Sequence, residues 1–196
     1  MSLLAISKIA WALGVVCWYV LRIPFQRKAR RQKVKDARHR NLRDMTLLTI
    51  STCGLGIIPG IYAVTGWPVG ASYPITAVQV VAGIVVFIGA LWLFWNTHKA
   101  IGRDWSVTLE IKEQHKLVTD GVYRHVRHPM YSAFFLWAVA QLLLLPNLIA
   151  GPAGLIGFGI LFFFRVGREE QMMREAFGPE YDVYMQRSKR IIPGIY

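Results

Sequence analysis

Five apolar stretches dominate this chain and decide what it can become. They cover residues 3–21, 45–67, 75–97, 131–145 and 147–164. A helix that crosses a bilayer needs about 20 apolar residues. Lys8 alone interrupts the first stretch. It lies near a helix end, where a long side chain can snorkel to the interface. A cleaved secretory signal has a shorter apolar core and a small-residue cleavage site. The first stretch is long enough to span and is followed by a dense basic block, so it reads as a retained helix. Pro146-Asn147 is a turn signal between the last two stretches, which predicts a tight helical hairpin. Gly54, Gly56, Pro59 and Gly60 crowd the second stretch. They predict a kink or a close helix contact, which membrane helices tolerate.

Charge is laid out with equal regularity. Of 23 Lys and Arg residues, ten fall in 22–43, six in 98–130 and six in 165–196. The connections at 67–74 and 146–152 carry none. Basic residues collect in cytoplasmic loops. The pattern therefore predicts an all-α integral membrane protein with five transmembrane helices, the N-terminus outside and the C-terminus cytoplasmic. It also organises the chain as one membrane domain over 1–196. Within it, 1–100 holds the first three helices and a basic cytoplasmic loop at 22–44. Residues 101–196 hold a loop at 102–130, a helical hairpin at 131–164 and a C-terminal cap at 165–196.

The net charge of +12 would suit a nucleic-acid binder. The basic block RKARRQKVKDARHR has no interleaved aromatic residues on which bases could stack, so it reads as a positive loop beside anionic lipid. Cys17 and Cys53 lie in apolar stretches without a CxxC or a neighbouring histidine. They read as small buried hydrophobes, not as a disulfide or metal pair. His98, His115, His125 and His128 share one expected loop but lack zinc-site spacing, so no metal is expected.

Two constellations stand where chemistry is plausible. Arg127-His128-Pro129 precedes the fourth stretch, with Pro129 suited to a first helical turn. A helix N-terminus at a membrane surface favours a carboxylate or phosphate; the simpler reading is a basic interface anchor. Arg165 and Glu169 are four residues apart and share a helix face, which also suits a plain ion pair. Ionisable groups at membrane depth tend to mark sites. Arg165 could grip a carboxylate at two points, and Glu169 could accept hydrogen bonds from an ammonium or ribose. Met172, Met173, Phe177, Tyr181 and Tyr184 follow at helical spacing, broken by Gly178-Pro179. They predict short amphipathic helices, lying on the membrane or closing as a lid over the loop before residue 131.

HKLVTDGVYRHVRHPMY, followed by RVGREEQMMREAFGPEYDVYMQRSKRIIP, resembles the isoprenylcysteine carboxyl methyltransferases, grouped with the membrane phospholipid methyltransferases. The resemblance covers roughly residues 102–193; residues 1–100 match only as membrane helices with a basic loop. It implies an S-adenosyl-L-methionine-dependent transferase without a Rossmann domain, whose cytoplasmic cofactor pocket is capped by C-terminal helices. Carried over by position, the cofactor contacts are His115, Lys116, Leu117, Val118, Tyr123, His128, Pro129, Met130, Tyr131 and Glu169. Arg165 takes the place of the arginine set against the substrate carboxylate. Ser132-Ala133 stands where the family often has glycine, and residues 108–113 show no clear match to the family's upstream cofactor contact.

A carboxylate is ionised at neutral pH, so its methylation needs an anion clamp and a dry pocket, not a base. The implied acceptor is a lipophilic or lipid-modified carboxylate, entering sideways from the membrane lipids. Methylation of a phospholipid amine is the alternative and requires a base such as His128 or Glu170. A sterol-reductase-like enzyme using NADPH and a non-catalytic membrane scaffold are the readings outside methyl transfer. No nucleic-acid partner is expected, and the sequence is silent on oligomeric state.

Overall fold

The computed structural model describes residues 1–29, 34–36, 42–101, 111–112 and 117–196. It is mostly helical. Seven α-helices are described: α1 Leu3–Ala29, α2 Leu42–Thr52, α3 Ile58–Thr65, α4 Ala77–Ile101, α5 Pro129–Leu144, α6 Ala153–Phe177 and α7 Pro179–Arg187. A short antiparallel pairing of Val34–Asp36 with Ile111–Lys112 departs from the all-α expectation.

Among the described residues, three spans are long and apolar enough to cross a membrane: Leu3–Arg27, Leu42–Thr65 and Ala77–Ile101. The protein is accordingly an integral membrane protein. The fourth expected stretch forms the shorter apolar helix α5. The fifth differs from expectation at both ends. It starts at Ala153 because residues 147–152 form a turn around Asn147, whose side-chain oxygen accepts hydrogen bonds from the amides of Ile149 and Ala150 at 3.0 Å. It does not stop at the charged boundary either. α6 runs unbroken through Arg165 to Phe177 and ends at Gly178, whose φ of 54° only glycine adopts without strain.

α5 packs mainly on α4, α1 on α4 and α5, and α2 on α6. The shared core is rich in aromatic residues. Trp18, Phe94, Phe134 and Trp137 pack with ring centroids 5.0–6.1 Å apart, tilted or edge-on except for the stacked Phe134–Trp137 pair.

The glycine-rich second stretch is bent by a π-helical turn at Cys53–Ile57, a known cause of helix irregularity. Gly54 permits a close helix contact there: a Cβ on it would lie 2.3 Å from the Ala153 carbonyl oxygen and 3.2 Å from the Gly157 Cα. Gln141, fully buried in α5, donates to the Gly54 carbonyl at 3.1 Å and the Ala150 carbonyl at 2.8 Å. Without water to bind, a loosened helix needs such a partner.

Lys8 turns inward instead of snorkelling. Its Nζ donates to the Tyr62 carbonyl at 3.1 Å and lies 4.5 Å from that ring's centre. Since Tyr62 is in the last turn of α3, the ammonium caps the negative end of that helix. Cys17 is exposed on α1 and Cys53 only half-buried; apolar surroundings in a membrane need not be protein. His98 lies within α4 instead of a loop, its Nδ1 3.0 Å from the Phe94 carbonyl.

Candidate active site

The charged ends of α1, α5 and α6 meet around a cavity of about 440 Å³. Its lining divides by chemistry. Arg165, Glu169, His128 and Tyr131 form a polar rim, Leu117, Val118 and Tyr123 an apolar side wall, and Trp18, Trp137 and Phe158 the deep end.

The polar rim begins at the start of α5. His128 is the N-cap of that helix and Pro129 its first residue, as the sequence predicts. The amides of Arg127 and His128 bond the carbonyls of Lys189 and Arg190, at 2.6 and 2.9 Å. Those two amides are therefore spent on the fold, while Arg127, His128, Pro129, Met130 and Tyr131 all line the cavity with other atoms. Ser132 Oγ donates to the Ile191 carbonyl at 2.6 Å, and the Lys189 amide to the His125 carbonyl at 3.2 Å. Residues 188–191 are thus laced along 125–132.

The adjacent glutamates of α6 have opposite surroundings. Glu169 lies on the cavity wall with its side chain 29% exposed. The Tyr131 hydroxyl donates to its Oε2 at 2.6 Å, and His128 Nδ1 lies 3.8 Å from its Oε1. Glu170 is 4% exposed. Arg127 Nε and Nη2 donate to its Oε1 at 3.1 and 3.0 Å, and Arg190 Nη2 to its Oε2 at 2.8 Å. His128 Nε2 lies 3.4 Å from Oε1, close but outside hydrogen-bond geometry. Burial alone would raise this carboxyl. The closeness of His128, the hydrogen bonds of Arg190 and the charge of Arg127 overcome it and hold Glu170 well below the usual carboxylate range. Arg127 Nη1 also donates to the carbonyls of Ser188 and Met185. This clasp fastens α6, the start of α5 and the C-terminal segment together.

Arg165 is 8% exposed and lines the same cavity one helical turn before Glu169. Its planar donor fork suits a carboxylate. α7 closes the side. Tyr181 and Tyr184 pack with Tyr123, against Leu117, Val118, Met173 and Phe177. The Tyr184 hydroxyl donates to the Tyr123 carbonyl at 2.7 Å. Burial pushes the Tyr184 phenol up to about 12, so it remains a donor at neutral pH. α7 thus packs against the end of the loop before residue 131.

Leu117, Val118, Tyr123, His128, Pro129, Met130, Tyr131, Arg165 and Glu169 all line this one cavity. His115 and Lys116 lie outside the described residues. Sequence reasoning missed the deep aromatic residues, because a tryptophan inside an apolar stretch looks like any packing residue. It also missed the Arg127–Glu170–Arg190 clasp, whose partners are far apart in the chain.

The cavity thus joins a charged and polar rim to an apolar, aromatic depth. Residues 80–175 match the model of the isoprenylcysteine carboxyl methyltransferase (ICMT) family. The chain is 38% identical over 96 residues to a probable protein-S-isoprenylcysteine O-methyltransferase of Oryza sativa subsp. indica, covering 48% of this chain and 50% of the relative. It is 35% identical over 86 residues to the Homo sapiens protein-S-isoprenylcysteine O-methyltransferase, covering 44% of this chain and 30% of the relative. The fold matches the solved structure of a eukaryotic intramembrane Ras methyltransferase of that family with a TM-score of 0.53 and 25% identity. That match covers 78% of this chain and 53% of the other. The chain spans about half the length of the curated plant relatives it matches.

Proposed function

We propose that the protein transfers a methyl group from S-adenosyl-L-methionine to the carboxylate of a lipophilic acceptor, an isoprenylated cysteine by the closest chemical analogy. The observation that carries this reading is the cavity itself, with Arg165 and Glu169 at one end and an aromatic, uncharged depth at the other. In this reading five helices cross the bilayer, the N-terminus is outside and the charged rim faces the cytoplasm. The domain plan read from the sequence is kept, with the cap's first half carried on α6.

The residues present fit the cofactor. Glu169 offers a half-exposed carboxylate to an ammonium or ribose, held in place by Tyr131, and Leu117, Val118, Tyr123 and Tyr181 offer an apolar slot for an adenine ring. When bound, the cofactor supplies an electrophilic methyl on a sulfonium. Arg165 holds the acceptor carboxylate by charge and direction, and the Tyr123–Tyr181–Tyr184 lid excludes water. His115 and Lys116 complete the proposed cofactor contacts, with His128, Pro129 and Met130 at the start of α5.

Of the two bases the amine route could use, the state of Glu170 removes one and leaves only His128. An amine must lose a proton, whereas a carboxylate loses none. Glu170, enclosed by Arg127 and Arg190, is in no position to take one. The deciding assay supplies labelled cofactor with a prenylcysteine, a free fatty acid and phosphatidylethanolamine. A base-labile methyl ester on the prenylcysteine is expected. An N-methyl product, or binding of NADPH in place of S-adenosylhomocysteine, would overturn the reading.

A further inference from the structure

Read from the sequence, Arg22 opens the basic loop 22–44 and serves topology. In the structure α1 does not end there. It continues to Ala29, about two turns further, and Arg22 lies inside the apolar span Leu3–Arg27. An ionisable side chain within such a span is expensive and tends to face the bundle interior. Arg22 does so: it is half-buried and lines the cavity with Val15 and Trp18, whereas Arg27 is exposed. Steps of three and four residues put Val15, Trp18 and Arg22 on one stripe of the helix.

Its guanidinium carbon lies 4.9 Å from the centre of the Trp18 ring. An indole face steadies a guanidinium while leaving its in-plane N–H donors for a ligand. Height places it opposite Arg165. Trp18 packs on Phe134 with ring centroids 6.0 Å apart. Arg22 is one turn rimward of Trp18, and Tyr131 is one turn rimward of Phe134, so Arg22 stands about level with Tyr131. The Tyr131 ring packs at 5.4 Å on Phe162, and Arg165 is the next turn rimward of Phe162 on the other wall. The two arginines therefore face the same part of the cavity from α1 and α6. Arg127 also lines the cavity but is committed to Glu170. Among the described residues, Glu169 is the carboxylate on this lining. Two arginines thus share one carboxylate, and the lining suits ligands that bring anions.

We propose that Arg22 is a second carboxylate-binding residue of this cavity, paired across it with Arg165. This rests on the proposed methyl transfer, which brings two carboxylates to one site: the α-carboxylate of S-adenosyl-L-methionine and that of the acceptor. Two ligand anions in a poorly hydrated cavity repel each other, and a cation on each wall offsets that repulsion. Arg22 lies outside residues 80–175, so its place in the site comes from the packing of α1 and not from the family match.

The test measures equilibrium binding to the full chain in lipid nanodiscs, with two pairs of probes that differ only at a carboxylate. One pair is S-adenosylhomocysteine and its α-carboxamide; the other is N-acetyl-S-farnesylcysteine and its carboxamide. Arg22→Gln keeps most of the bulk and removes the charge. It should weaken a carboxylate probe by about tenfold or more, as when one partner of a desolvated charge pair is lost. The matching carboxamide should bind as before, and Arg22→Met should repeat the result. A selective loss in the S-adenosylhomocysteine pair assigns Arg22 to the cofactor, and one in the farnesylcysteine pair assigns it to the acceptor. Equal losses for carboxylate and carboxamide, or no loss in either pair, would overturn the proposal. Wild-type protein that binds both carboxylate probes without transferring a methyl group would sink the proposed function while leaving Arg22 to be judged on binding. Wild-type protein that binds neither would overturn the role of Arg22 as well.

Discussion

The two ends of this helical bundle use polar side chains in opposite ways. At the end free of charged loops, Asn147 is fully buried, and its amide and carbonyl groups bond Pro68, Ser72, Ile149 and Ala150. Tyr62 reaches the Pro146 carbonyl at 3.4 Å, and Lys8 is spent on capping α3. These contacts seal the end. At the other end the polar groups also bond one another, but they are arranged around a space. Glu170, Arg127 and Arg190 form the frame, and Glu169, Tyr131 and Arg165 face the cavity. A buried polar group that completes a turn reads as architecture. One held by a neighbour yet turned toward a cavity reads as a site.

This contrast can be broken by mutation, most severely at the frame. Glu170→Gln leaves Arg127 and Arg190 around a neutral group. Breaking a buried pair in this way costs about 3–5 kcal/mol. A lower melting temperature and faster proteolysis of the segment after α6 should report it. The same clasp gives the protein an acid limit. Because the folded Glu170 carboxyl is depressed, its stabilisation is complete above the ordinary carboxylate range. It disappears as pH falls from there through the folded value. Melting temperature measured from pH 7 down to pH 3 should fall in wild type and much less in Glu170→Gln.

Next in size is the cavity-facing arginine. Arg165→Ala should reduce turnover about a hundredfold, the scale of losing one partner of a desolvated charge pair. S-adenosylhomocysteine affinity should stay near wild type. Full activity in Arg165→Ala would remove the carboxylate clamp from the proposed mechanism. Smaller again is the sealed end. Asn147→Ala leaves buried backbone groups unpaired, at a cost of about 1–3 kcal/mol, and activity per folded molecule should not change. A selective loss of activity there would erase the distinction between the two ends.

Much of this could be read in the sequence, for definable reasons. Apolar length and one-sided charge are properties of consecutive residues, so α1 and α4 emerge where expected. Arg165, Glu169, His128 and Tyr131 were legible because their motif spacing places them on helix faces that converge. The π-turn was legible only as a glycine-rich irregularity. Its form depends on Gln141 and on the backbone of α6, both far away in sequence. Glu170 looked like a spare base beside Glu169, and only the tertiary partners Arg127 and Arg190 show it to be occupied. The inward turn of Lys8 was hidden for the same reason, since its acceptor is 54 residues away.

The lacing of residues 188–191 onto 125–132 also has a consequence for how the protein is made. Every membrane helix precedes that segment in the chain. During synthesis the bundle can insert while the rim is still unfastened, because Arg190 and the Lys189 carbonyl have not yet emerged. The rim is therefore fastened by the last of these residues to be made.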